Sequence, residues 1–333
     1  MGNQIIKIYA PVVIPTLCRY EHFKRCVESL SKCTGADRTE LYIGLDYPTK
    51  ESHWSGYNKI CDYLPSIRGF QAVHVYKREV NYGQSKNTRN LLEIVKEGYD
   101  RYILSEDDNE FSPNFLEYIN KGLELYKDHP DVMAICGYSY PIEYFLSIGD
   151  YNFNAYPIQG YTAWGVGFWF DKRDSVVRDF VNSENAYQLI HSWKSVKKLF
   201  RKKMHITVHR LLFRWKESYG DLMWCCLLNL YDKYCIFPTV SKVRNHGFDK
   251  SASHCVENPI YEKQEIDLAA SFDYDDIEIR PYKSIIAMHN KKYGGAWWIR
   301  KLCELEYLFF RLFGITFQGL FVRLRLLSQR NRM

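Results

Sequence analysis

The segment RYILSEDD, residues 101–108, is the most informative part of the chain, because a short apolar strand there ends in three consecutive carboxylates. On both sides of it, segments with strand and helix periodicity alternate. Strands are predicted at 5–14, 40–45, 72–76, 101–104 and 132–136, and helices at 20–32, 55–64, 87–99 and 113–129. We expect Pro15 to stop the first strand. The alternation predicts an α/β fold, a mostly parallel sheet flanked by helices.

Acidic residues follow two of these strands. Asp46 comes directly after 40–45, and Glu106, Asp107 and Asp108 come after 101–104. In parallel sheets, ligands bind beyond the carboxyl ends of the strands. Adjacent carboxylates repel one another unless water or a cation neutralises them, and their oxygens suit Mg²⁺ or Mn²⁺ with phosphate completing the shell. The triplet therefore predicts a metal and phosphate site, with a solvated turn as the alternative. Asp46 is a candidate for binding a base or ribose, or a turn residue.

Two further segments carry charged side chains near predicted helix starts. Lys86 and Arg89 follow Gly83 in the polar segment 81–90. A helix N-terminus attracts anions, so a diphosphate could bind there, and a capped surface loop is the alternative. Asp221 follows Gly220 at the start of a predicted helix, 219–234. Its carboxylate could accept a proton from a hydroxyl nucleophile, or simply cap the helix.

A histidine and a tryptophan complete the candidates. His246, in the polar loop after a predicted strand at 236–243, could ligate a metal or contact a phosphate, or be a loop residue without function. Trp164, followed by Gly165, lies in an aromatic and glycine-rich segment, 151–170. Its ring could stack on a sugar, or belong to the core.

Composition limits the class of protein. The 333 residues are 46% apolar and 25% charged, which excludes a disordered or collagen-like chain and allows about two domains. A net charge of +6 is too small to indicate nucleic-acid binding. Ten scattered cysteines without a CxxC pair are typical of a reduced, cytoplasmic protein. We expect no signal peptide and no membrane span, because the apolar run Leu312–Val322 is shorter than the roughly 20 residues a span needs.

The C-terminal part, 286–333, is predicted to form amphipathic helices. It mixes rings with cations, namely Trp297, Trp298, Phe309, Phe310, Phe313, Phe317 and Phe321 with Arg300, Lys301, Arg311, Arg323 and Arg325. A basic run precedes it at Lys194, Lys197, Lys198, Arg201, Lys202 and Lys203. Such a pattern favours a helix lying peripherally on an anionic membrane surface. Packing on the domain and a dimer contact are the alternatives.

Taken in order, the motifs resemble the GT-A glycosyltransferases of family-2-like type over about residues 8–250. VIPT at 13–16 with Arg19 is similar to their opening strand and loop, and the segment 81–90 to their NxGxxxARN-type segment. SEDD at 105–108, followed by SPNF at 112–115 and Tyr118, resembles the EDD region of N-acetylglucosaminyltransferase I and its relatives. Gly220-Asp221-Leu222 resembles the motif of the catalytic base, although an acidic residue usually stands where Gly220 is.

The resemblance implies a role for each matching residue. Asp221 would be the general base and Asp108 a metal ligand. From the chemistry of its imidazole alone, His246 is the second predicted metal ligand. Asp46 would face the nucleotide base, Asp107 the ribose or the metal, and Glu106 the donor sugar. Further donor contacts would come from Pro15, Thr16, Arg19, Lys86 and Arg89, and acceptor contacts from Trp164 and Gly165.

The implied activity is that of an inverting glycosyltransferase that depends on Mn²⁺ or Mg²⁺. It would move a sugar from a nucleotide-diphosphate donor, a UDP-sugar by preference, to a hydroxyl of a cell-surface glycan or lipid-linked acceptor. Its domain would span 1–285, with a donor half to about 135 and an acceptor half after it. We expect no N-terminal membrane anchor, which would fit a bacterial cytoplasmic enzyme. Two alternatives stay open. One is a sugar-nucleotide nucleotidyltransferase, although residues 11–19 lack the glycine-rich opening loop of that class. The other is a non-catalytic sugar-nucleotide-binding protein.

Overall fold

The computed structural model of the chain describes residues 8–140, 151–180, 183–214, 220–248 and 264–317. Packing divides the chain into two units. Unit 1 comprises Met1–Asp174 and Tyr234–Pro281, and unit 2 comprises Ser175–Lys233 and Tyr282–Met333. This division does not follow the boundary predicted after residue 285, because Ser175–Lys233 packs with the C-terminal segment.

Unit 1 is built on an eight-stranded sheet. The described strands of unit 1 include the eight of this sheet and two more. They are β1 Val12–Thr16, β2 Glu40–Leu45, β3 Ala72–Lys77, β4 Arg101–Leu104, β5 Asn109–Phe111, β6 Val132–Cys136, β7 Ala155–Ile158, β8 Val166–Trp169, β9 Tyr234–Pro238 and β10 Val243–Asn245. The sheet order is β3-β2-β1-β4-β8-β6-β9-β7, in which β7 and β8 run against the other six. β5 and β10 form a separate antiparallel pair. The predicted α/β class with a mostly parallel sheet flanked by helices is confirmed.

The helices carry their apolar residues on one side. They are α1 Tyr20–Leu30, α2 Glu51–Tyr63, α3 Gly83–Lys96, α4 Phe115–Leu125, α5 Phe170–Phe180, α6 Ser183–His191, α7 Trp193–Arg201, α8 His205–Arg214, α9 Gly220–Leu230, α10 Lys283–Tyr293 and α11 Trp297–Phe313. In α1 the buried side chains recur at helical spacing, at Phe23, Cys26, Val27 and Leu30. α3 packs on β1 and β2, and α4 packs on β6 and β8.

The strand order creates a crevice at the carboxyl ends of β1 and β4. From β1 the chain proceeds outward through β2 to β3, then returns to form β4 on the other side of β1. The connections on the two sides of this point diverge, and open α/β sheets bind ligands at such a switch point. The last residue of β1, Thr16, and the loop after β4 border this crevice.

Two sequence predictions differ from the structure near the crevice. Pro15 lies within β1 instead of ending it. The Val13 carbonyl accepts a hydrogen bond from the backbone N–H of Ser105, beyond β4, and the Thr16 carbonyl accepts one from Asp46, beyond β2. Because backbone groups alternate between the two sides of a strand, Pro15 faces β4, as Val13 does. The pairing of β1 with β4 ends before Pro15, so the N–H that proline lacks costs no hydrogen bond between strands. The helix predicted from residue 87 begins at Gly83, whose φ is +70°.

Unit 2 has a hydrophobic core of its own. Helices α6, α7, α8, α9 and α11 enclose buried side chains that include Ile190, Leu199, Val208, Leu211 and Tyr307. The Tyr307 hydroxyl donates to the carbonyl of Ile190, at 2.9 Å. Within the described residues, no helix is long and apolar enough to cross a bilayer. Of the predicted tail residues, Phe321, Arg323 and Arg325 lie outside the described part of the chain.

Candidate functional site

The loop after β4 brings two carboxylates to the crevice. Asp107 and Asp108 are both buried. The hydroxyl of Thr16, at the end of β1, donates to Oδ2 of Asp107 at 2.8 Å, which joins the two strand ends at the switch point. Within the loop, Asn109 donates its amide to the Ser105 hydroxyl at 3.0 Å. The predicted site residues Thr16, Asp107 and Asp108 therefore share one corner of unit 1.

Arg19 neutralises this acidic pair. One terminal nitrogen pairs with Oδ1 of Asp107, and the other lies 2.9 Å from Oδ2 of Asp108. Burial raises the pKa of Asp107, although the charge of Arg19 opposes that rise. Burial lowers the pKa of the Arg19 guanidinium, but the charges of Asp107 and Asp108 raise it by more, so the net shift is upward. Arg19 is thus an internal counter-ion, a role that its sequence position did not reveal.

The β5–β10 pair forms the other border of the corner. The Asn245 amide donates to Oδ1 of Asp108 at 2.7 Å and to the Asn109 side chain at 2.9 Å. The backbone N–H of Gly247 donates to Oδ1 of Asn245 at 2.8 Å. A Cβ at position 247 would lie 2.3 Å from Oδ2 of Asp108, so a glycine is needed there. Sequence reasoning missed Asn245 and Gly247, although both flank His246.

The His246 ring is engaged with a different carboxylate. Its Nε2 lies 2.7 Å from Oε2 of Glu110, which also pairs with Arg244 at 3.3 Å. The hydrogen bond from His246 lowers the pKa of Glu110, with burial opposing and the charge of Arg244 assisting. The His246 backbone N–H donates to the carbonyl of Asp108 at 2.8 Å. A metal role for His246 stays a prediction, and it would require the ring to leave Glu110.

The acidic corner has donor chemistry that fits a hard divalent cation. Carboxylates of Asp107 and Asp108 suit Mg²⁺ or Mn²⁺, which commonly complete their shell with water and phosphate. All four carboxylate oxygens already have partners in Thr16, Arg19 and Asn245. In the described ranges, no three His, Cys, Asp or Glu side chains gather as a metal-binding group. A divalent ion would therefore have to replace Arg19 as the counter-charge.

Asp46 caps a helix. Its buried carboxylate accepts hydrogen bonds from the backbone N–H groups of Tyr47, Tyr82 and Gly83, at 2.9, 2.7 and 2.8 Å. The last two belong to the N-terminus of α3, where a carboxylate also complements the helix dipole. The anion position predicted for a diphosphate is thus filled by the chain itself. Lys86 lies over the Tyr82 ring at 4.1 Å, and Arg89 is exposed.

The remaining candidates of unit 1 are half-buried, except for Gly165, which is buried. Pro15 and Glu106 are both half-buried. The half-buried Trp164 ring meets Tyr138 edge to face at a centroid distance of 4.7 Å, so the indole is part of an aromatic cluster. Gly165, with φ +65°, accepts a hydrogen bond from the backbone of Gly137 at 2.7 Å.

Asp221 belongs to unit 2, in the first turn of α9. The side chain keeps accessible surface, and desolvation by the surrounding protein raises its pKa to about 6. A carboxyl with such a pKa is ionised at neutral pH and is still a useful proton acceptor.

The sequence matches no protein-family model and no curated protein. Solved structures do match, and three of them illustrate how low their similarity to this chain is. S. aureus TarS is 16% identical over 38% of this chain and 21% of that chain, with a TM-score of 0.28. TarS 1–349 is 11% identical over 72% of this chain and 61% of that chain, with a TM-score of 0.38. The mannosyltransferase PcManGT from Pyrobaculum calidifontis, in complex with GDP-Man and Mn²⁺, is 11% identical over 69% of this chain and 73% of that chain, with a TM-score of 0.37.

Thus the matches span about a fifth of the TarS chain and under two thirds of TarS 1–349. Similarities at this level establish neither a family nor an activity.

Proposed function

We propose that this chain is a glycosyltransferase of the GT-A type. The observation that carries the proposal is the buried Asp107–Asp108 pair at the switch point of the sheet, held by Thr16, Arg19 and Asn245. Burying two adjacent carboxylates is costly, and buried, charge-paired carboxylates with perturbed pKa values are concentrated at functional sites. The order of motifs from VIPT to Gly220-Asp221 supports the same activity. The similarity to N-acetylglucosaminyltransferase I stays a prediction.

The proposed reaction is a single displacement at the anomeric carbon of the donor sugar. The acceptor oxygen forms the new bond while the bond to the diphosphate breaks, and the electron pair leaves with the diphosphate. Asp221 takes the acceptor proton, and attack from the opposite face inverts the configuration. Asp107 and Asp108 would hold Mn²⁺ or Mg²⁺, which supplies Lewis-acid stabilisation of the leaving charge. Arg19 offers a positive charge beside the same carboxylates.

The donor and acceptor follow from the resemblance. We propose a UDP-sugar as donor, contacted by Glu106, by Thr16 at the end of β1 and by Arg19 in the loop that follows. The acceptor would be a hydroxyl of a cell-surface glycan or a lipid-linked sugar, with Trp164 available for stacking against a ring. The proposed location is the cytoplasm, on the inner face of the membrane.

A nucleotide-sugar screen tests the activity. Purified protein is incubated with UDP-, GDP- and CMP-sugars and candidate acceptors, with Mn²⁺ or with excess chelator, and the released nucleotide is quantified. We expect one donor to release nucleoside diphosphate in the presence of Mn²⁺. Asp108→Asn should lower that rate at least about 100-fold, because it removes one charge of the pair.

The matched control is Asp62→Asn, at an exposed carboxylate on α2, which should leave the rate unchanged. Failure of every donor would contradict the proposal. Pyrophosphate release from a nucleoside triphosphate and a sugar phosphate would support the nucleotidyltransferase instead.

A further inference from the structure

Charge is distributed unequally between the two units. The segments of unit 2, Ser175–Lys233 and Tyr282–Met333, contain 21 Lys and Arg against seven Asp and Glu, a net charge of +14. Unit 1 contains the other 24 Lys and Arg against 32 Asp and Glu, a net charge of −8, which together give the +6 of the whole chain. Like charges within one unit repel and oppose folding. A segregation of this size therefore points to an anionic partner for unit 2.

Helix α11 presents an apolar row to solvent. The exposed fractions are 53% for Trp298, 57% for Leu302, 55% for Leu305 and 77% for Leu312. Their spacing of four, three and seven residues places them on one side of the helix. The other side enters the core of unit 2 through the fully buried Tyr307. The helix is thus apolar on two sides, and only one of them serves the fold.

An indole ring and cations accompany the apolar row on α11, and further cations lie on α7. Trp297, at the start of α11, is 71% exposed, and Lys301, which pairs with Glu304, is exposed beside the row. Arg311 is also exposed, and its guanidinium donates to the carbonyl of His191. On α7 the exposed cations Lys194, Lys197 and Arg201 share one side, and within the described residues no carboxylate pairs with them. Tryptophan and basic residues around an apolar row are the composition that prefers a membrane–water interface.

We infer that this side of α11, called the outer row (Trp298, Leu302, Leu305 and Leu312), binds the surface of an anionic lipid bilayer. The helix would lie parallel to the surface, with the outer row among the acyl chains and the flanking cations at the head groups. The same spacing would suit a helix dimer. Two surfaces of equal positive charge would repel each other, whereas anionic lipid attracts both, so the charge favours the bilayer. This inference goes beyond sugar transfer and needs no donor.

Vesicle flotation tests the inference with the full-length protein and no nucleotide or acceptor present. Wild-type protein should float with vesicles of phosphatidylcholine containing phosphatidylglycerol, and much less with phosphatidylcholine alone. Leu305→Glu/Leu312→Glu should lower the partition coefficient at least about tenfold, because two charges enter the apolar contact. Raising the salt concentration should weaken wild-type binding.

The matched control is Leu268→Glu, at a leucine of unit 1 that is 81% exposed, which should float like wild type. Both leucines of the test variant are exposed, so circular dichroism should show unchanged folding. Equal flotation of the test variant and wild type would overturn the inference. The inference would also be overturned if neither protein bound vesicles and if the wild type were a dimer in solution while the test variant was a monomer. That result would assign the outer row to a dimer contact. Because no sugar donor is used, this result is independent of the nucleotide-sugar screen.

Discussion

Replacing Arg19 by Met removes the counter-ion of the acidic pair and keeps most of the side-chain volume. The exposed side-chain fractions are 29% for Arg19, 8% for Asp107 and 7% for Asp108. Breaking a buried ion pair from one side costs about 3–5 kcal/mol. Since water reaches part of the guanidinium, we expect the free energy of unfolding to fall by about 2–4 kcal/mol at neutral pH.

The loss should depend on pH. Burial already raises the pKa of Asp107, and the charge of Arg19 opposes that rise, so Arg19→Met should raise the pKa further. A carboxyl with a higher pKa in the folded chain than in the unfolded chain binds its proton more tightly when folded. Protonation then stabilises the fold, and this contribution disappears as the pH rises through the folded pKa. The deficit of the variant relative to wild type should therefore be smaller at pH 5 than at pH 8.

Urea unfolding at both pH values, followed by tryptophan fluorescence, measures the deficit. Arg89→Met is the matched control, because Arg89 is exposed on α3 and its replacement should change the unfolding midpoint little. If Arg19→Met were as stable as wild type at both pH values, or lost more stability at pH 5, the counter-ion role would be refuted.

Asp221→Asn should lower kcat by about 10²–10⁴-fold with donor KM nearly unchanged. Because desolvation raises the Asp221 pKa to about 6, wild-type kcat should fall below that pH as the base is protonated, and a pH–rate profile of the variant should lack this limb. Gly247→Ala places a Cβ 2.3 Å from Asp108 Oδ2 and should raise the donor KM at least about tenfold in steady-state kinetics. The control Gly98→Ala, whose Cβ would meet no atom within 4 Å, should leave the donor KM unchanged. Asp46→Ala removes three hydrogen bonds, two of which cap α3, and should cost about 2 kcal/mol in urea unfolding.

Each of these outcomes can fail separately. A pH limb that persists in Asp221→Asn would assign the limb to another group. Equal donor KM in the two glycine variants would mean that position 247 does not shape the acidic corner. An unchanged unfolding midpoint for Asp46→Ala would show that the cap contributes nothing to stability.

Local sequence was sufficient for several elements of the sheet. The bounds of Glu40–Leu45, Arg101–Leu104 and Val132–Cys136 were predicted as the structure has them, because each is an apolar segment with clear ends. The position of the acidic triplet after a strand was also predictable. The antiparallel strand Val166–Trp169 was not, because its aromatic and glycine-rich surroundings lack a clear period.

The hydrogen-bond and ion-pair partners of the site residues could not be predicted from the local sequence. Arg19 and Asp107 are 88 positions apart, and Asn245 and Asp108 are 137 apart. Asp46 reaches the helix start 36 and 37 positions later, where the sequence suggested an external anion. Such pairings depend on which strands become neighbours, and strand order is a property of the whole sheet.

Titration of Mn²⁺ into the protein with a nucleoside diphosphate present, followed by electron paramagnetic resonance, addresses the acidic corner itself. The protein should bind one Mn²⁺ whose affinity increases with UDP or another nucleoside diphosphate, and Asp108→Asn should lose this binding while Asp62→Asn keeps it. If Asp108→Asn bound the metal and the nucleotide as wild type does, or if wild type bound the nucleotide equally well in excess chelator, Asp107 and Asp108 would not be the donor site.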